Sequence, residues 1–180
     1  MLPIGVAVDR FRPLDRAAAR RRLGLDPDGR YVLFPSDPAR AGKRHDRAVA
    51  IAGDAEVLAG GAIPPEDMPW WVNAANAVVV PSDHEGYGLA TLEALACDVP
   101  VLATPVGIAP LALRGVAGTL CAGYDADRWR AALAPHLADP DPRVSGRGRA
   151  ELFSVDRMAA RVVAAWRALA AAGTGEADVR

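Results

Sequence analysis

The chain has 180 residues, 51% of them apolar, so it can bury one sizeable core but is too short for two complete nucleotide-binding domains. Its 21 Lys and Arg residues against 22 Asp and Glu residues give a formal charge of −1, which excludes a general positive field for nucleic acid or acidic membranes. Any anion site is therefore local. We predict one domain over residues 1–172 and a flexible tail over residues 173–180.

The cysteines and the hydropathy of the chain indicate the compartment in which it works. Cys97 and Cys121 lie in apolar surroundings without CxxC spacing, which is typical of small buried residues in a reducing compartment rather than of a disulfide or a zinc site. The first residues do not form a secretion signal, and no apolar run approaches the roughly 18 residues that a membrane span needs. We therefore expect a cytoplasmic protein with no transmembrane segment.

Five short apolar runs predict strands, at residues 31–34, 56–59, 77–80, 99–103 and 118–121. The first three runs end at Pro35, Gly60 and Pro81, residues that interrupt strands. The runs are nearly continuous in apolar residues, as is typical of strands that are covered on both faces. The sequence therefore predicts an α/β fold, with a single Rossmann-like domain, a mostly parallel sheet of about five strands, and helices on both faces.

Helical periodicity lies before and between these runs and after the last one, at residues 16–23, 45–52, 66–75, 89–96, 108–113, 126–138 and 155–172. Asp125 and Ser154 stand where N-cap residues are expected, and Glu66 and Asp67 place acidic groups in the first turn of the third helix. Residues 139–142 and 145–148 are rich in Pro and Gly and are predicted to be irregular.

Residues 81–101 are the most informative stretch, because they run from a strand through a glycine-containing loop into a helix and a further strand. In a doubly wound sheet such a loop lies at the carboxyl edge of the strands, where ligands bind, and the helix start offers unpaired N–H groups to a phosphate. Gly86 and Gly88 allow a ligand to approach the main chain closely. Glu85 and Glu93 are separated by a little over two helical turns and can border one cleft.

The residue pattern in this stretch resembles the donor-site signature of glycosyltransferase family 4. It comprises Pro81-Ser82, then Glu85-Gly86-Tyr87-Gly88-Leu89, then Glu93 followed by Ala-Leu-Ala, and finally Val-Pro-Val-Leu-Ala-Thr-Pro-Val-Gly at residues 99–107. Residues 4–13, 73–78, 115–121 and 153–161 also resemble segments of that family. The resemblance implies the C-terminal, donor-binding half of a GT-B glycosyltransferase.

What the resemblance implies for function is retaining transfer of a sugar from a nucleoside diphosphate-sugar to an acceptor hydroxyl. Glu85 would contact the hydroxyls of the donor sugar, and Glu93 would contact those of the ribose. The remaining donor-binding residues would hold the distal phosphate through their backbone and are Gly86, Tyr87, Gly88 and Leu89. No metal ion or cofactor is expected. Any peripheral membrane association would be made by the family's acceptor-binding N-terminal domain, which we expect this chain to lack.

A basic loop follows the first predicted strand, and the family places its phosphate-binding pair there. Lys43 matches the family lysine, whereas Arg40 is an inexact match because the family arginine lies closer to the strand. Cations suit this place because a departing diphosphate carries charge that must be stabilised. The alternative is a solvated basic loop in which Arg40, Lys43, Arg44 and Arg47 all face water.

Several other features are interpreted as structural. The Asp-x-Asp motifs at residues 125–127 and 139–141 do not follow a buried strand, so we assign them to a helix cap and a turn rather than to a metal site. Trp70 and Trp71 are expected to pack rather than to stack on a ligand. His84 is expected to be solvated.

Several departures from the family pattern leave rival functions open. We expect this chain to lack the family's acceptor-binding N-terminal domain, and Asp98, Asn76 and Leu111 stand where the family commonly has Gly, Asp and Glu. The chain is therefore either the donor half of an enzyme or a non-catalytic nucleotide-sugar-binding fragment, or half of a split enzyme. A dinucleotide-binding domain is disfavoured because no GxGxxG turn follows the first strand.

Overall fold

A computed structural model describes residues 4–173 of the chain. Five strands form one sheet in the order β2-β1-β3-β4-β5, and every neighbouring pair is parallel. The strands are β1 (Tyr31–Phe34), β2 (Glu56–Ala59), β3 (Ala77–Val80), β4 (Val101–Ala103) and β5 (Leu120–Cys121). The predicted class and strand number are confirmed.

Eight α-helices occur in the described part of the chain. They are α1 (Arg16–Leu23), α2 (His45–Ala52), α3 (Met68–Ala74), α4 (Leu89–Ala96), α5 (Ala109–Ala112), α6 (Ala126–Ala138), α7 (Arg147–Glu151) and α8 (Val155–Gly173). Single 3₁₀ turns lie at Ala41–Lys43 and Gly60–Ala62. Residues 174–180, most of the predicted tail, lie outside the described residues.

Both faces of the sheet are covered, as the continuous apolar strands predict. Alternate residues of β3 enter two separate cores: Val78 and Val80 pack with Leu92 of α4 on one face, while Val79 packs with Trp129 of α6 on the other. All of these side chains are buried. The three central strands, β1, β3 and β4, are buried along their whole length and contain only aliphatic and aromatic residues.

The predicted starts of β4 and β5 are wrong for identifiable reasons. Val99 donates its N–H to Ala94 of the preceding helix, and Pro100 has no N–H to donate, so β4 begins only at Val101. Gly118 has φ of 77°, a left-handed conformation that a strand cannot contain, so β5 begins at Leu120.

Helix boundaries deviate from the prediction in two short helices. Residues 64–67 form a turn in which Asp67 donates its N–H to the Pro64 carbonyl, so α3 begins at Met68 and the expected acidic first turn is wrong. The helix predicted over 108–113 is one turn, Ala109–Ala112. The N-caps are confirmed: Asp125 accepts the N–H of Arg128 at 2.8 Å, and Ser154 accepts that of Arg157 at 3.3 Å.

The helix α7 begins at Arg147, within the stretch 145–148 that was predicted to be irregular. The carboxylate of Asp98, just beyond the C-terminus of α4, accepts the N–H groups of Gly146 at 2.9 Å and Arg147 at 2.7 Å and so caps this helix. Asp98 itself has φ of 55°, where the family's glycine would be unstrained. The departure from glycine is therefore accompanied by a tertiary helix cap.

Candidate functional site

Two loops meet at the carboxyl edge of the sheet. Residues 35–44 follow β1 and residues 81–88 follow β3, and these two strands are neighbours in the sheet. Asp83 donates its N–H to the Gly42 carbonyl at 3.0 Å. The His84 ring lies directly over Gly42, since a Cβ there would be 2.9 Å from Cε1 of the ring. The basic loop and the glycine-containing loop therefore form one site.

An ion pair joins the loops at the centre of this site. Nζ of Lys43 lies 2.5 Å from Oε2 of Glu85, and the two side chains are only 14% and 10% exposed. The other carboxylate oxygen of Glu85, Oε1, accepts the hydroxyl proton of Ser82 at 2.7 Å. Two residues that are 42 positions apart in the chain are thus held together, one of them from each predicted half of the site.

An open pocket of about 340 Å³ lies beside this pair, and its lining residues are Arg40, Ala41, Gly42, Lys43, His84 and Gly86. Arg40 is exposed, and its guanidinium has no hydrogen bond or ion pair within residues 4–173. The predicted cations Lys43 and Arg40 therefore border the same space as Gly86. His84, which was expected to be solvated, also lines the pocket.

The start of α4 presents unpaired main-chain N–H groups near the pocket. Gly88 is its N-cap, with φ of 90° and no side-chain cap. In the described part of the chain, the N–H groups of residues 86–90 find no acceptor. A Cβ on Gly86 would meet no atom within 4 Å, so the space in front of this backbone is open. Unpaired N–H groups at a helix start attract anions.

Glu93 lies apart from that pocket, in the middle of α4. Burial raises the pKa of its carboxyl, and the positive charge of Arg10 partly offsets this shift. Its carboxylate has no hydrogen bond or ion pair with any described residue. Neither glutamate is among the residues lining the pocket, but Glu85 contacts Lys43, which does line it, whereas Glu93 has no such contact in the described residues.

Tyr87 and Leu89 turn their side chains toward the protein interior. Both pack against the core under α4, and the Tyr87 hydroxyl is buried without a hydrogen-bond partner in the described residues. Burial raises the pKa of this phenol, and Arg161 lowers it by a smaller amount. Both side chains are partly buried, and neither lines the pocket beside Lys43.

The other two cations of the basic loop are neutralised by neighbours. Arg44 lies 2.7 Å from Asp46 and 3.3 Å from Asp83, and Arg47 lies 2.8 Å from Asp83. The hydrogen bond from Arg44 lowers the pKa of the Asp46 carboxyl. The basic loop alone could not show the ion pairs of Arg44 and Arg47 with Asp83, because Asp83 comes from the other loop.

The motifs that we interpreted as structural have structural partners. Asp125 caps α6 and Asp127 pairs with Arg130 at 2.8 Å, while Asp139 accepts the N–H of Asp141 at 2.9 Å in a turn. No cluster of three or more metal-ligating side chains lies within residues 4–173. The tryptophans also pack, with Trp71 against the core and Trp70 under the guanidinium of Arg22.

Asn76 explains a second departure from the family pattern. It is 1% exposed, and its carbonyl oxygen accepts from Arg20 and from the N–H of Tyr31, each at 2.9 Å. Its amide donates to the carbonyls of His136 and Asp139, each at 3.1 Å. An aspartate could not make the last two bonds, because an ionised carboxylate has no proton to donate. Nothing in the structure explains the exposed Leu111.

The strand order, the helices on both faces and a site at the carboxyl edge define a Rossmann-like domain of the GT-B type. A family model described as "Glycosyl transferases group 1" matches residues 28–139. A D-inositol 3-phosphate glycosyltransferase of Mycobacterium avium is 38% identical over 201 residues, covering 91% of this chain and 47% of the relative. The chain belongs to the group 1 glycosyltransferases, glycosyltransferase family 4.

Solved structures agree on the fold. Sucrose-phosphate synthase from Thermosynechococcus elongatus superposes with a TM-score of 0.73 at 27% identity, covering 95% of this chain and 52% of that protein. The Anabaena protein HepE, solved in complex with UDP and glucose, superposes with a TM-score of 0.69 at 15% identity, covering 91% and 55%. The chain spans about half the length of the curated relatives that it matches.

Proposed function

We propose that this chain supplies the donor site of a retaining glycosyltransferase, which transfers a sugar from a nucleoside diphosphate-sugar to an acceptor hydroxyl. The observation that carries the proposal is the nearly buried pair of Lys43 and Glu85 beside the unpaired N–H groups of residues 86–90. Positive charge and free donors suit a diphosphate, and a carboxylate with spare acceptor capacity suits sugar hydroxyls.

The diphosphate would lie between the basic loop and α4. Lys43 and Arg40 would neutralise its charge from one side, and the N–H groups of residues 86–90 would bind the distal phosphate from the other. These groups stabilise the negative charge that develops on the leaving diphosphate, which is the electrostatic task of a metal ion in other transferases. We therefore propose that binding is independent of metal ions.

The two glutamates would bind different parts of the donor. Glu85, held beside Lys43, would accept hydrogen bonds from the sugar, and the partly buried Glu93 would accept them from the ribose. Resemblance to the family supports a front-face reaction through an oxocarbenium-like transition state. In that reaction the bond from the anomeric carbon to the diphosphate breaks, the acceptor oxygen bonds on the same face, and the leaving phosphate takes the acceptor proton.

An acceptor-binding domain would complete the site, either in the whole protein or on another chain. The chain covers 47% of the Mycobacterium avium relative, which is consistent with a second domain of similar size. The helix α8 leaves large apolar side chains exposed, at Val155, Val163, Trp166 and Leu169. An apolar face of this kind is typical of a surface that another domain covers.

No helix within residues 4–173 is long and apolar enough to cross a membrane. We propose a cytoplasmic location.

If Lys43 neutralises the diphosphate, nucleotide binding should depend on this side chain. The test is calorimetric titration of the chain with ADP, GDP, UDP and their glucose and mannose esters. Lys43→Ala should weaken the diphosphate that binds and leave the bare nucleoside unaffected. Arg30→Ala is the matched control, because Arg30 is an exposed cation at the amino end of β1, on the opposite edge of the sheet. Equal losses in both variants would refute the site.

The second candidate is a nucleotide-sugar-binding module without catalysis of its own. It is favoured by the pocket itself, since its lining residues belong to the two loops proposed to bind the donor and no separate acceptor site accompanies them in the described residues. The isolated chain should then give little or no transfer, because an acceptor that is not held in place loses most of the advantage of proximity. Transfer that returns when a matching acceptor domain is added supports a split enzyme, and robust turnover by the chain alone would refute the need for that domain.

A further inference from the structure

The loop that carries Glu85, residues 81–88, is held at both ends by the loop that follows β4, residues 104–108. Near its start, the hydroxyl of Thr104 donates to the Ser82 carbonyl at 2.5 Å and the N–H of Thr104 donates to the Val80 carbonyl at 3.1 Å. Near its end, the N–H of Ile108 donates to the Tyr87 carbonyl at 2.7 Å. The position of the Glu85 loop therefore depends on the 104–108 loop.

Gly107 brings the two loops into direct contact. A Cβ at this position would lie 2.4 Å from the Tyr87 carbonyl oxygen and 2.9 Å from Cβ of Glu85. The φ of 57° also favours glycine. Any side chain here would push the Glu85 loop outward, so the loops are packed at the closest approach that the backbone allows.

Ser82 connects this packed layer to the carboxylate. It is 2% exposed, and its hydroxyl donates to Oε1 of Glu85 at 2.7 Å, while Lys43 donates to Oε2. The two carboxylate oxygens are thus held by donors from different loops, which fixes the plane of the carboxylate. Each oxygen has about two acceptor positions, so one position on each remains for a ligand.

We propose that Ser82 is a positioning residue of the donor site and that Thr104 supports it. The hydroxyl of Ser82 sets the rotation of the Glu85 carboxylate, and the hydroxyl of Thr104 sets the position of Ser82. Without Ser82 the carboxylate would follow Lys43 alone, which is the partner that a diphosphate also attracts. This inference rests on the proposed function, because it assumes that Glu85 binds the sugar.

Binding measurements on the chain separate positioning from a general structural role. The ligands are UDP and UDP-glucose, or the corresponding ADP or GDP pair if one of those binds instead. Ser82→Ala should weaken binding of the sugar nucleotide about 3- to 10-fold and leave binding of the free diphosphate unchanged. In a Glu85→Ala background, Ser82→Ala should cost nothing further, because its effect passes through Glu85. Additive losses, or equal losses on both ligands, would overturn the proposal.

Thr104 provides a matched pair of variants. Thr104→Val removes the hydroxyl at nearly constant shape and should weaken only the sugar nucleotide, whereas Thr104→Ser keeps the hydroxyl and should behave as the wild type. If Thr104→Ser loses as much as Thr104→Val, the methyl group matters and the proposed support by the hydroxyl is wrong. Thermal melting of each variant must first exclude unfolding.

A ligand-free readout distinguishes failure of the inference from failure of the proposed function. Crystal structures of the wild type and of Ser82→Ala should be compared. In the variant the Glu85 carboxylate should be rotated away from its wild-type position, with the main chain of residues 81–88 unchanged. An unmoved carboxylate would overturn the inference whatever the chain binds. A moved carboxylate in a protein that binds no sugar nucleotide would refute the proposed function and leave the positioning of Glu85 by Ser82 intact.

Discussion

Glu93 and Glu85 can be replaced by glutamine one at a time and tested with two ligands, a nucleoside diphosphate and its sugar ester. Because only the ester carries the sugar, the two ligands separate the roles of the two carboxylates. If Glu93 accepts hydrogen bonds from the ribose, Glu93→Gln should weaken the nucleoside diphosphate and its sugar ester alike. If Glu85 binds the sugar, Glu85→Gln should weaken only the sugar ester. The ratio of the two dissociation constants therefore identifies the part of the donor that each carboxylate contacts.

The expected magnitudes follow from the contacts of each group. Loss of a charge-assisted hydrogen bond costs about 1–3 kcal/mol, which is roughly 5- to 150-fold in Kd. Glu85 also holds Lys43 at 2.5 Å in the ligand-free chain, so Glu85→Gln releases that ammonium group. Binding of the free diphosphate should then stay the same or become slightly tighter, whereas loss of a ribose contact would weaken it.

The assay is isothermal titration of each folded variant with both ligands, with Lys43→Ala as the control for a phosphate contact. Lys43→Ala should weaken both ligands and spare the bare nucleoside. Should Glu85→Gln weaken the free diphosphate as deeply as Glu93→Gln does, the assignment of Glu85 to the sugar is wrong. Equal losses for all three variants on every ligand would indicate misfolding, which thermal melting checks beforehand.

Three further predictions concern stability and reactivity. Burial raises the pKa of Glu93 above its ordinary value of 4.5, so the folded chain binds more protons than the unfolded chain and its stability falls as pH rises above that value. Glu93→Gln should therefore raise the Tm at pH 7 and lose this advantage near pH 4. An equal gain at both pH values would contradict this reasoning about the Glu93 carboxyl. Asp98→Ala should lower the free energy of unfolding in urea by about 1–2 kcal/mol more than Asp98→Gly. Both variants lose the cap of α7, but only alanine is strained by the left-handed backbone at this position. Equal losses in the two variants would argue against that strain. Burial raises the pKa of the Cys97 thiol to about 12, so a thiol reagent should modify Cys121 first and Cys97 only on unfolding. Rapid labelling of Cys97 in the native chain would contradict its burial.

The strands show how far local sequence determines this fold. The strands β1, β2 and β3 match their predicted bounds because each apolar run stops at Pro35, Gly60 or Pro81. The start of β5 was missed because the left-handed conformation of Gly118 depends on the surrounding fold. The helix α7 was missed because its cap, Asp98, lies 48 residues before it in the chain. Long-range contacts of this kind have no local signature.

The site shows the same division between local pattern and tertiary contact. The pattern around Glu85, together with the family resemblance, predicted that Lys43 and Glu85 serve one ligand, and the structure places them in contact. The sequence could not show that Asp83 neutralises Arg44 and Arg47 or that Ser82 donates to Glu85. These contacts depend on how closely the loops after β1, β3 and β4 approach one another.

We propose that protein charges and main-chain N–H groups, without a metal ion, form a nucleoside diphosphate site at Lys43, Arg40 and residues 86–90. The most direct test is calorimetric titration of the wild-type chain with ADP, GDP and UDP, first with a chelator and then with magnesium or manganese. At least one diphosphate should bind with the same Kd under both conditions. Binding that appears only with the metal ion would show that the site requires a metal.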